Sequence, residues 1–403
     1  MSDSPAAPFG PLAGLRALEM GQLLAGPFCG QLLGDFGAEV IKLEQPGRGD
    51  PMRDWGREKA NGESLWWPVV SRNKKCITLN ARERAGQELI LSLVEKSDFL
   101  VENFRPGTLE RWNLSYDALK AVNPGLILVR VTGYGQSGPY AARAGYGAIG
   151  EAMGGLRYVV GSPDRPPSRM GISIGDTLAA TFACVGALSA LHHRHVTGEG
   201  QVVDSAIYEA VLNVMESLIS EFDATGFVRE RTGAILPNVA PSNVYPTSDG
   251  EHLIAANQDS VFTRLSAAMG RPELAEDERY VSHNARGEHQ EELDNLIADW
   301  TRTLDGKSLE DLLNEHSVPN GRIYRAPEML EDAHFKARDA IIRLAHPSFG
   351  EIAMQNVAPK LSATPGGIRF AGAALGEHND EVYGDLLGLD AQRRSALQAD
   401  GII

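Results

Sequence analysis

The sequence predicts an α/β protein with a large domain built around a parallel sheet and a smaller second domain. Three observations lead to this prediction. Short apolar strands alternate with helices through the first half of the chain, one strand is apolar at all but one of its residues, and the alternation stops near residue 222. A chain of 403 residues accommodates two domains at about 100–200 residues each.

The first predicted unit is strand, helix, strand. Gly14–Glu19 is a short apolar run, Leu23–Phe36 has small and apolar residues at helical spacing, and Ala38–Leu43 is rich in β-branched residues. Two short strands joined by a helix are typical of a parallel βαβ unit, because parallel neighbours need a crossover connection.

The same alternation then repeats. A helix is predicted at Arg84–Lys96 and a strand at Phe99–Glu102, followed by a helix at Tyr116–Ala121 and a strand at Leu126–Val131. The last of these strands, LILVRV, is almost entirely apolar, which is typical of a strand covered on both faces. The order indicates an open, doubly wound sheet with helices on both sides.

The remaining predicted elements divide the chain. Asp176–His193 reads as a long helix of small residues, Gln201–Asp204 as a strand and Ala206–Leu218 as a helix. Residues 222–245 lack periodicity and carry several Gly and Pro, so they are predicted to be a linker after a large domain at 1–221.

A smaller domain is predicted at 246–330, with a short strand at His252–Ala256 and acidic helices. Beyond residue 340 the pattern indicates short strands and turns, and a final helix is predicted at 380–398.

Composition excludes several classes of function. Lys plus Arg is 38 and Asp plus Glu is 53, so the net charge is 38 − 53 = −15, which disfavours nucleic acid and anionic membranes as partners. The three cysteines form no C-x-x-C pair and suit a reducing compartment. With no signal peptide and no apolar stretch of 18 residues in view, a cytoplasmic protein without a membrane span is expected.

Two motifs have a simple structural interpretation. Gly133–Gly138 spells G-x-G-x-x-G after a strand, but Pro139 and the residues after it do not start a helix, so a turn or a phosphate-approach loop is favoured over a dinucleotide site. His192, His193 and His195 lack a carboxylate ligand nearby, and cations near a helix C-terminus offset its dipole, so no metal site is predicted.

Asp176 follows Ser-Ile-Gly and precedes an Ala-rich helix. Asp is a good helix N-cap, so one interpretation is purely structural. A carboxylate at a turn into a helix can also act as a nucleophile on a thioester. Local spacing leaves both interpretations open.

The first third of this acidic chain holds a group of basic residues. Arg and Lys are the side chains that pair with phosphates such as those of coenzyme A, although solvated surface charge paired with nearby Glu is the alternative. The group comprises Arg72, Lys74, Lys75, Arg82, Arg105 and Arg111.

At this point the sequence resembles the class III CoA-transferases, the family of formyl-CoA, succinyl-CoA:dicarboxylate and carnitine CoA-transferases. The resemblance spans nearly the whole chain. It rests on ordered blocks: Gly26-Pro27, LGDFGAEVIKLE (33–44), Gly47–Asp50 with Trp55, RNKK (72–75), VENFRPG (101–107), TGYGxxGP (132–139), Gly175-Asp176, GxGQ (198–201) and LGEHNDEV (375–382).

The resemblance implies that Asp176 is the catalytic residue, which carries the acyl group and then CoA in turn. It also implies CoA or acyl-CoA as a substrate, with no tightly bound cofactor and no metal. Positions matching the family's CoA contacts are Leu24, Ala25, Leu79, Arg82, Asn103, Phe104, Arg105, Arg111 and Tyr146.

The family fold implies a Rossmann-like large domain, a smaller α+β domain, and an interlinked homodimer in which each chain threads the other. Residues 331–403 would then be a return linker and a C-terminal part that completes the large domain.

The same fold includes α-methylacyl-CoA racemases, which need a histidine opposite the aspartate as a second proton-shuttling group. Here Tyr146 stands at that position, which favours a transferase and leaves a racemase as the alternative. A non-catalytic acyl-CoA-binding protein is disfavoured because Gly175-Asp176 is intact. Gly147 departs from the acidic residue often found there, and 233–243 lacks the family's glycine-rich loop, so formate and oxalate are disfavoured. The blocks instead indicate succinyl-CoA and dicarboxylates such as glutarate, malate or citramalate.

Overall fold

The computed structural model describes residues 9–403, which form two compact units. The larger unit contains the described residues up to Leu156, together with Met170–Ser217 and His334–Ile403. The smaller unit contains Arg157–Arg169 and Leu218–Ala333. The chain therefore leaves the larger unit twice, first after Leu156 with a return at Met170, and again after Ser217 with a return at His334.

The strands between Phe9 and Ile403 are numbered in chain order. They are β1 (Arg16–Glu19), β2 (Glu39–Glu44), β3 (Lys59–Ala60), β4 (Glu63–Ser64), β5 (Lys74–Thr78), β6 (Phe99–Glu102), β7 (Ile127–Thr132), β8 (Val202–Ala206), β9 (Ser242–Pro246), β10 (Glu251–Ala255), β11 (Asn320–Arg322), β12 (Ile341–His346) and β13 (Gly350–Gln355).

The α-helices of the same described range are numbered likewise. They are α1 (Ala25–Asp35), α2 (Trp67–Val70), α3 (Arg84–Val94), α4 (Thr108–Arg111), α5 (Tyr116–Val122), α6 (Gly147–Met153), α7 (Leu156–Val159), α8 (Ile174–Thr197), α9 (Ile207–Asn213), α10 (Leu218–Thr225), α11 (Asp259–Ala268), α12 (His283–Glu288), α13 (Gln290–Thr301), α14 (Gly306–Glu315), α15 (Ala326–Glu331), α16 (Ala333–Ala337) and α17 (Ala391–Ala399).

The larger unit is organised by a parallel sheet of six strands in the order β5-β2-β1-β6-β7-β8. This confirms the prediction of an α/β fold with a large parallel sheet. From β1 the chain builds β2 and β5 on one side, then returns to build β6, β7 and β8 on the other. The strand order therefore reverses between β1 and β6, and such a switch point opens a crevice at the carboxyl ends of the strands.

The burial of the central strands β6 and β7 agrees with their apolar sequences. Every residue of β6 and β7 is buried, as expected for strands covered on both faces. The core beneath them joins Leu18, Ile41, Leu100 and Leu128 with residues from the end of the chain. Tyr383 is one of these, and its hydroxyl donates to the carbonyl oxygen of Thr78 at 2.6 Å.

The helix predicted at 380–398 is two helices. A π-helix at Asp380–Leu386 is separated from α17 by Gly388, whose φ of 72° lies in the left-handed region. A left-handed glycine is a common way for a helix to end. The helix predicted at Ala206–Leu218 is shorter in the structure, because α9 ends at Asn213 and α10 begins only at Leu218, with Glu216 at a φ of 54° between them.

The smaller unit has an antiparallel sheet in the order β11-β10-β9, covered by helices. Its separate core includes Tyr245, Ile254, Phe262, Leu293 and Leu309. The segment 222–245, predicted as a linker, overlaps α10 at its start and β9 at its end.

Helix α8 has two different faces. Small residues spaced along one face, among them Ala179, Ala183 and Ala187, are buried and allow close packing against α1. Its length of 24 residues and mean hydropathy of 1.5 also match a membrane span by composition alone, which differs from the expectation for this sequence. Less than half of that apolar stretch is buried within the protein.

Candidate active site

Two adjoining cavities open at the carboxyl edge of the parallel sheet of the larger unit. The first, which we call the basic cavity, has a volume of about 430 Å³. The second, the aspartate cavity, has a volume of about 190 Å³ and is lined by Asp176. Gln22, which follows β1, and Phe104, which follows β6, line both cavities. The cavities therefore meet at the switch point between β1 and β6, where ligands of open α/β sheets bind.

All nine predicted CoA contacts line one of these cavities. The basic cavity is lined by Leu79, Arg82, Phe104, Arg105 and Arg111. The aspartate cavity is lined by Leu24, Ala25, Asn103 and Tyr146, beside Asp176 and again Phe104. Residues more than 100 positions apart in the sequence are brought together because each follows the carboxyl end of a neighbouring strand.

The basic cavity collects positive charge on an acidic protein. Arg82, Arg105 and Arg111 are exposed, and none of them forms an ion pair with a carboxylate among residues 9–403. Arg111 Nη2 donates to Thr108 Oγ1 at 2.9 Å. Three exposed guanidinium groups without carboxylate partners are a suitable site for phosphate groups.

The other three basic residues of the predicted group do not belong to this site. Arg72 forms a buried ion pair with Asp35 at 2.5 Å, and Lys74 forms one with Glu19 at 2.7 Å. Lys75 pairs with Glu39 at 2.5 Å and also with Glu381. For these three residues the structure favours the alternative of pairing with carboxylates, because each already forms an ion pair with Asp or Glu.

Asp176 lies in the first turn of α8 and is partly buried. The N-cap of this helix is Ser173, so the interpretation of Asp176 as the cap is wrong. A carboxylate in the first turn is stabilised by the positive end of the helix dipole. Gly175 allows this turn to pack closely, because a Cβ there would lie 3.0 Å from Glu151 Cγ and 3.1 Å from the Gly147 carbonyl oxygen.

The backbone of Gly147 packs directly against the carboxylate of Asp176. A Cβ at position 147 would lie 2.3 Å from Asp176 Oδ2. The neighbouring Tyr146 is 54% exposed. Its pKa is raised, first by partial burial and second by the negative charge of Asp176. Tyr146 therefore holds its proton more firmly than an ordinary tyrosine.

The glycine motif after β7 is a loop and not the start of a helix, since the next helix begins at Gly147. Gly133 lines the aspartate cavity together with Gly145. Their backbones pass so closely that a Cβ at position 133 would lie 2.7 Å from Gly145 Cα. The backbones of Gly133 and Gly145 therefore form part of the cavity wall. This agrees with the interpretation of the motif as a turn or loop.

Sequence reasoning missed two aromatic residues of the site. Trp112 lines the basic cavity and meets Phe104 edge to face, with ring centroids 5.1 Å apart. Trp55 lines the aspartate cavity and meets Trp66 edge to face at 6.0 Å. Phe104 and Trp112 stand eight residues apart around the short helix α4, and only this turn brings their rings together. Trp55 carried a sequence signal, since it belongs to one of the resemblance blocks.

Glu102 is the last residue of β6, and its carboxylate holds the backbone of Phe104. It is buried, its Oε1 accepts from Arg130 Nε at 2.7 Å, and its Oε2 accepts from the Phe104 amide at 2.6 Å. Burial raises the pKa of Glu102 to about 7, against the lowering effect of Arg130. A buried charge costs solvation energy even when it is paired.

This raised pKa gives a testable dependence of stability on pH. Between about pH 4.5 and 7 the folded protein keeps a proton on Glu102 that the unfolded chain has released, so stability falls as pH rises. We expect the wild type to lose on the order of 3 kcal/mol relative to Glu102→Gln across this range. Urea unfolding of both proteins at pH 5 and pH 8 measures the difference. A wild-type minus variant difference that stays constant with pH would contradict the assignment.

The chain is similar to known proteins over nearly its whole length. The family model described as CoA-transferase family III matches residues 12–379. The chain is 60% identical over 394 residues to the succinyl-CoA–D-citramalate CoA-transferase of Chloroflexus aurantiacus, with 98% of each chain covered. It is 34% identical over 382 residues to the succinate–glutarate CoA-transferase of Agrobacterium fabrum, with 93% of this chain and 96% of the relative covered.

The fold is also found among solved structures. The crystal structure of a CaiB/BaiF family protein from Brucella suis matches with a TM-score of 0.83 and 33% sequence identity. The match covers 94% of this chain and 100% of that protein.

Proposed function

The chain belongs to CoA-transferase family III, and we propose that it transfers coenzyme A from succinyl-CoA to a small dicarboxylic acid, with D-citramalate the first acceptor to test. The observation that carries this proposal is the Asp176 carboxylate in a small cavity that adjoins a cavity with three arginines, none of which forms an ion pair within residues 9–403. The acceptor is suggested by the relative that is 60% identical over nearly the whole chain. The succinate–glutarate enzyme supports the same chemical class of acids.

The proposed reaction uses Asp176 as a covalent carrier. Its carboxylate attacks the thioester carbonyl of succinyl-CoA, the C–S bond breaks, and CoA leaves as a thiolate. The thiolate then attacks the aspartyl carbonyl of the resulting anhydride, which releases succinate and leaves an aspartyl-CoA thioester. The acceptor carboxylate attacks this thioester and forms a second anhydride. The thiolate finally attacks the acceptor's carbonyl, which yields the new acyl-CoA and restores Asp176.

Each step exchanges a carboxylate and a thiolate at a carbonyl carbon. These groups are of similar energy, and the product is again a thioester, so no ATP is required. The two cavities supply different parts of the binding energy. Arg82, Arg105 and Arg111 would bind the phosphates of CoA, while Phe104 and Trp112 offer aromatic surface to the adenine. This arrangement directs the thiol end of CoA toward Asp176. The site must also keep water away from the anhydride, which would otherwise hydrolyse.

A mass-spectrometric transfer screen tests the proposal. Purified protein is mixed in D2O with succinyl-CoA and a panel of acids that includes D-citramalate, L-malate, glutarate, formate and oxalate. An α-methyl-branched acyl-CoA is included to detect racemase activity. We expect a new dicarboxyl-CoA without solvent deuterium at its α-carbon. Deuterium at the α-carbon of the branched acyl-CoA, with no exchange between acids, would overturn the proposal in favour of a racemase.

We also propose that the protein is an interlinked homodimer and that the second copy covers the exposed face of α8. Phe182, Val185, Leu188 and Val196 lie on that face, with exposures from 37% to 76%. A contiguous exposed apolar surface is typical of a protein interface. Static light scattering should give twice the chain mass of 43.5 kDa. A mass equal to a single chain would contradict the homodimer.

A further inference from the structure

The loop that joins β1 to α1 contains a strained residue at the edge of the active site. Leu23 has a φ of 62°, a left-handed conformation that branched residues rarely adopt. Gln22, Leu23 and Leu24 all line the aspartate cavity. Strained conformations persist only where the surrounding structure holds them, and they concentrate at functional sites.

Hydrogen bonds from side chains of other segments fix the backbone of residues 21–23 in this loop. The Gly21 carbonyl accepts from Lys42 Nζ. The Gln22 amide donates to Asn103 Oδ1 at 2.7 Å, and Asn103 Nδ2 donates to the Gln22 carbonyl at 2.8 Å. The Leu23 amide donates to Asp50 Oδ1 at 3.1 Å. The side chain of Asn103, predicted as a CoA contact, is therefore occupied in holding the loop.

Asp50 also holds a second wall of the same cavity. Its Oδ1 accepts from the Met52 amide at 2.9 Å and so caps the short 3-10 helix Pro51–Asp54. That helix leads directly to Trp55, whose amide donates to the Met52 carbonyl at 3.2 Å. Trp55 lines the aspartate cavity, whereas Asp50 itself does not. One carboxylate oxygen thus connects two separate walls of the cavity.

The charge of Asp50 is neutralised inside the protein. Asp50 Oδ2 pairs with Lys42 Nζ at 2.7 Å, and Lys42 also pairs with Glu19 at 3.0 Å. Glu19 in turn pairs with Lys74, whose Nζ donates to the Pro27 carbonyl in the first turn of α1. All four charged side chains are at most 2% exposed. Buried ion pairs contribute little net stability compared with apolar side chains, so their value here is geometric.

We propose that Asp50 is a positioning residue of the transfer reaction, which keeps the loop 21–24 and Trp55 in place around Asp176. The inference rests on the proposed function. Asp50 lines neither cavity and acts through the Leu23 and Met52 amides. Loss of these two hydrogen bonds would misplace the groups around Asp176, and a displacement of about 1 Å can lower the rate about 100-fold.

Two substitutions separate the charge of Asp50 from its geometry. Asp50→Asn keeps the size but removes the charge that Lys42 requires. Asp50→Glu keeps the charge but moves the oxygen that accepts from Leu23. The matched control is Asp35→Asn, which breaks the buried Asp35–Arg72 pair at the far end of α1, outside both cavities.

Steady-state transfer from succinyl-CoA is measured for each variant together with its melting temperature. We expect both Asp50 variants to lower kcat by about 10–100-fold, with KM for succinyl-CoA changed less than about threefold. Asp35→Asn should keep kcat within about twofold at a comparable loss of melting temperature. An Asp50→Asn variant no more impaired than Asp35→Asn would overturn the proposal. If Asp50→Asn does not fold, wild-type kcat in Asp50→Glu would overturn it.

Hydrogen exchange of the peptide covering residues 20–25 gives a readout that needs no substrate. Exchange should be faster in the Asp50 variants than in the wild type and unchanged in Asp35→Asn. Equal exchange in all proteins would overturn the positioning role. The wild type could transfer no CoA while the Asp50 variants still showed faster exchange at residues 20–25. That result would contradict the proposed function but not the role of Asp50 in fixing the loop 21–24.

Discussion

Substitution of Asp176 by Asn or Ala should reduce CoA transfer by about 10⁴-fold or more, because the proposed reaction has no path that bypasses the covalent carrier. The fold should survive, since Asp176 is not the N-cap residue of α8, whose N-cap position is Ser173. Asn is nearly the same size as Asp but lacks a nucleophilic carboxylate. Transfer rates from the mass-spectrometric screen measure the effect directly.

Chemical trapping distinguishes a covalent role from a binding role. After incubation with acyl-CoA, hydroxylamine or borohydride should modify Asp176 in the wild type and leave no modified residue in the variants. The matched control is Asp117→Asn, which alters an exposed carboxylate in the first turn of α5. This control should transfer CoA at the wild-type rate. Full transfer activity in Asp176→Ala would sink the mechanism.

Substitution of Gly147 by Ala should lower kcat/KM by about 100-fold without unfolding the protein. The new Cβ would lie 2.3 Å from Asp176 Oδ2 and 2.9 Å from Oδ1, so the carboxylate or α6 must move. A displacement of about 1 Å at the reacting groups is enough for this loss. The helix itself should tolerate the change, because Ala is a better helix former than Gly.

Kinetics and thermal melting of Gly147→Ala measure this prediction. The matched control is Gly171→Ala in the same unit, where a Cβ would meet no atom within 4 Å. We expect the control to retain transfer within about twofold. If Gly147→Ala kept the wild-type kcat/KM, the close packing of the Gly147 backbone against the Asp176 carboxylate would not be needed for transfer, and the prediction would be wrong.

The sequence by itself predicted five of the six strands of the parallel sheet, all except β5, and it predicted Asp176 together with nine residues that line the two cavities. Strands such as β6 and β7 are apolar over consecutive residues, and this signal is local. Asp176 could be identified because its neighbours match a family motif. Arg82, Arg105 and Arg111 could be proposed as anion ligands because they belong to a local basic group on a chain of net charge −15 and match the family's CoA contacts.

Only the tertiary structure decided which basic residues are available to a ligand. Arg72 and Arg82 look alike in sequence, but Arg72 meets Asp35 inside the fold while Arg82 faces a cavity. Such partners lie tens of residues apart, and their meeting depends on the strand order and on the register of each pair. The same holds for the division of the C-terminal helix, since a glycine's φ depends on what the flanking helices pack against.

The strained loop at Leu23 shows the same limit at the active site. Its backbone is held by Lys42, Asp50 and Asn103, which come from three separate segments that meet near the carboxyl edge of the sheet. No local pattern distinguishes a lysine that holds a backbone carbonyl from one that faces water. Sequence determines which chemical groups are present, whereas the packing of distant segments determines which of them remain free to react.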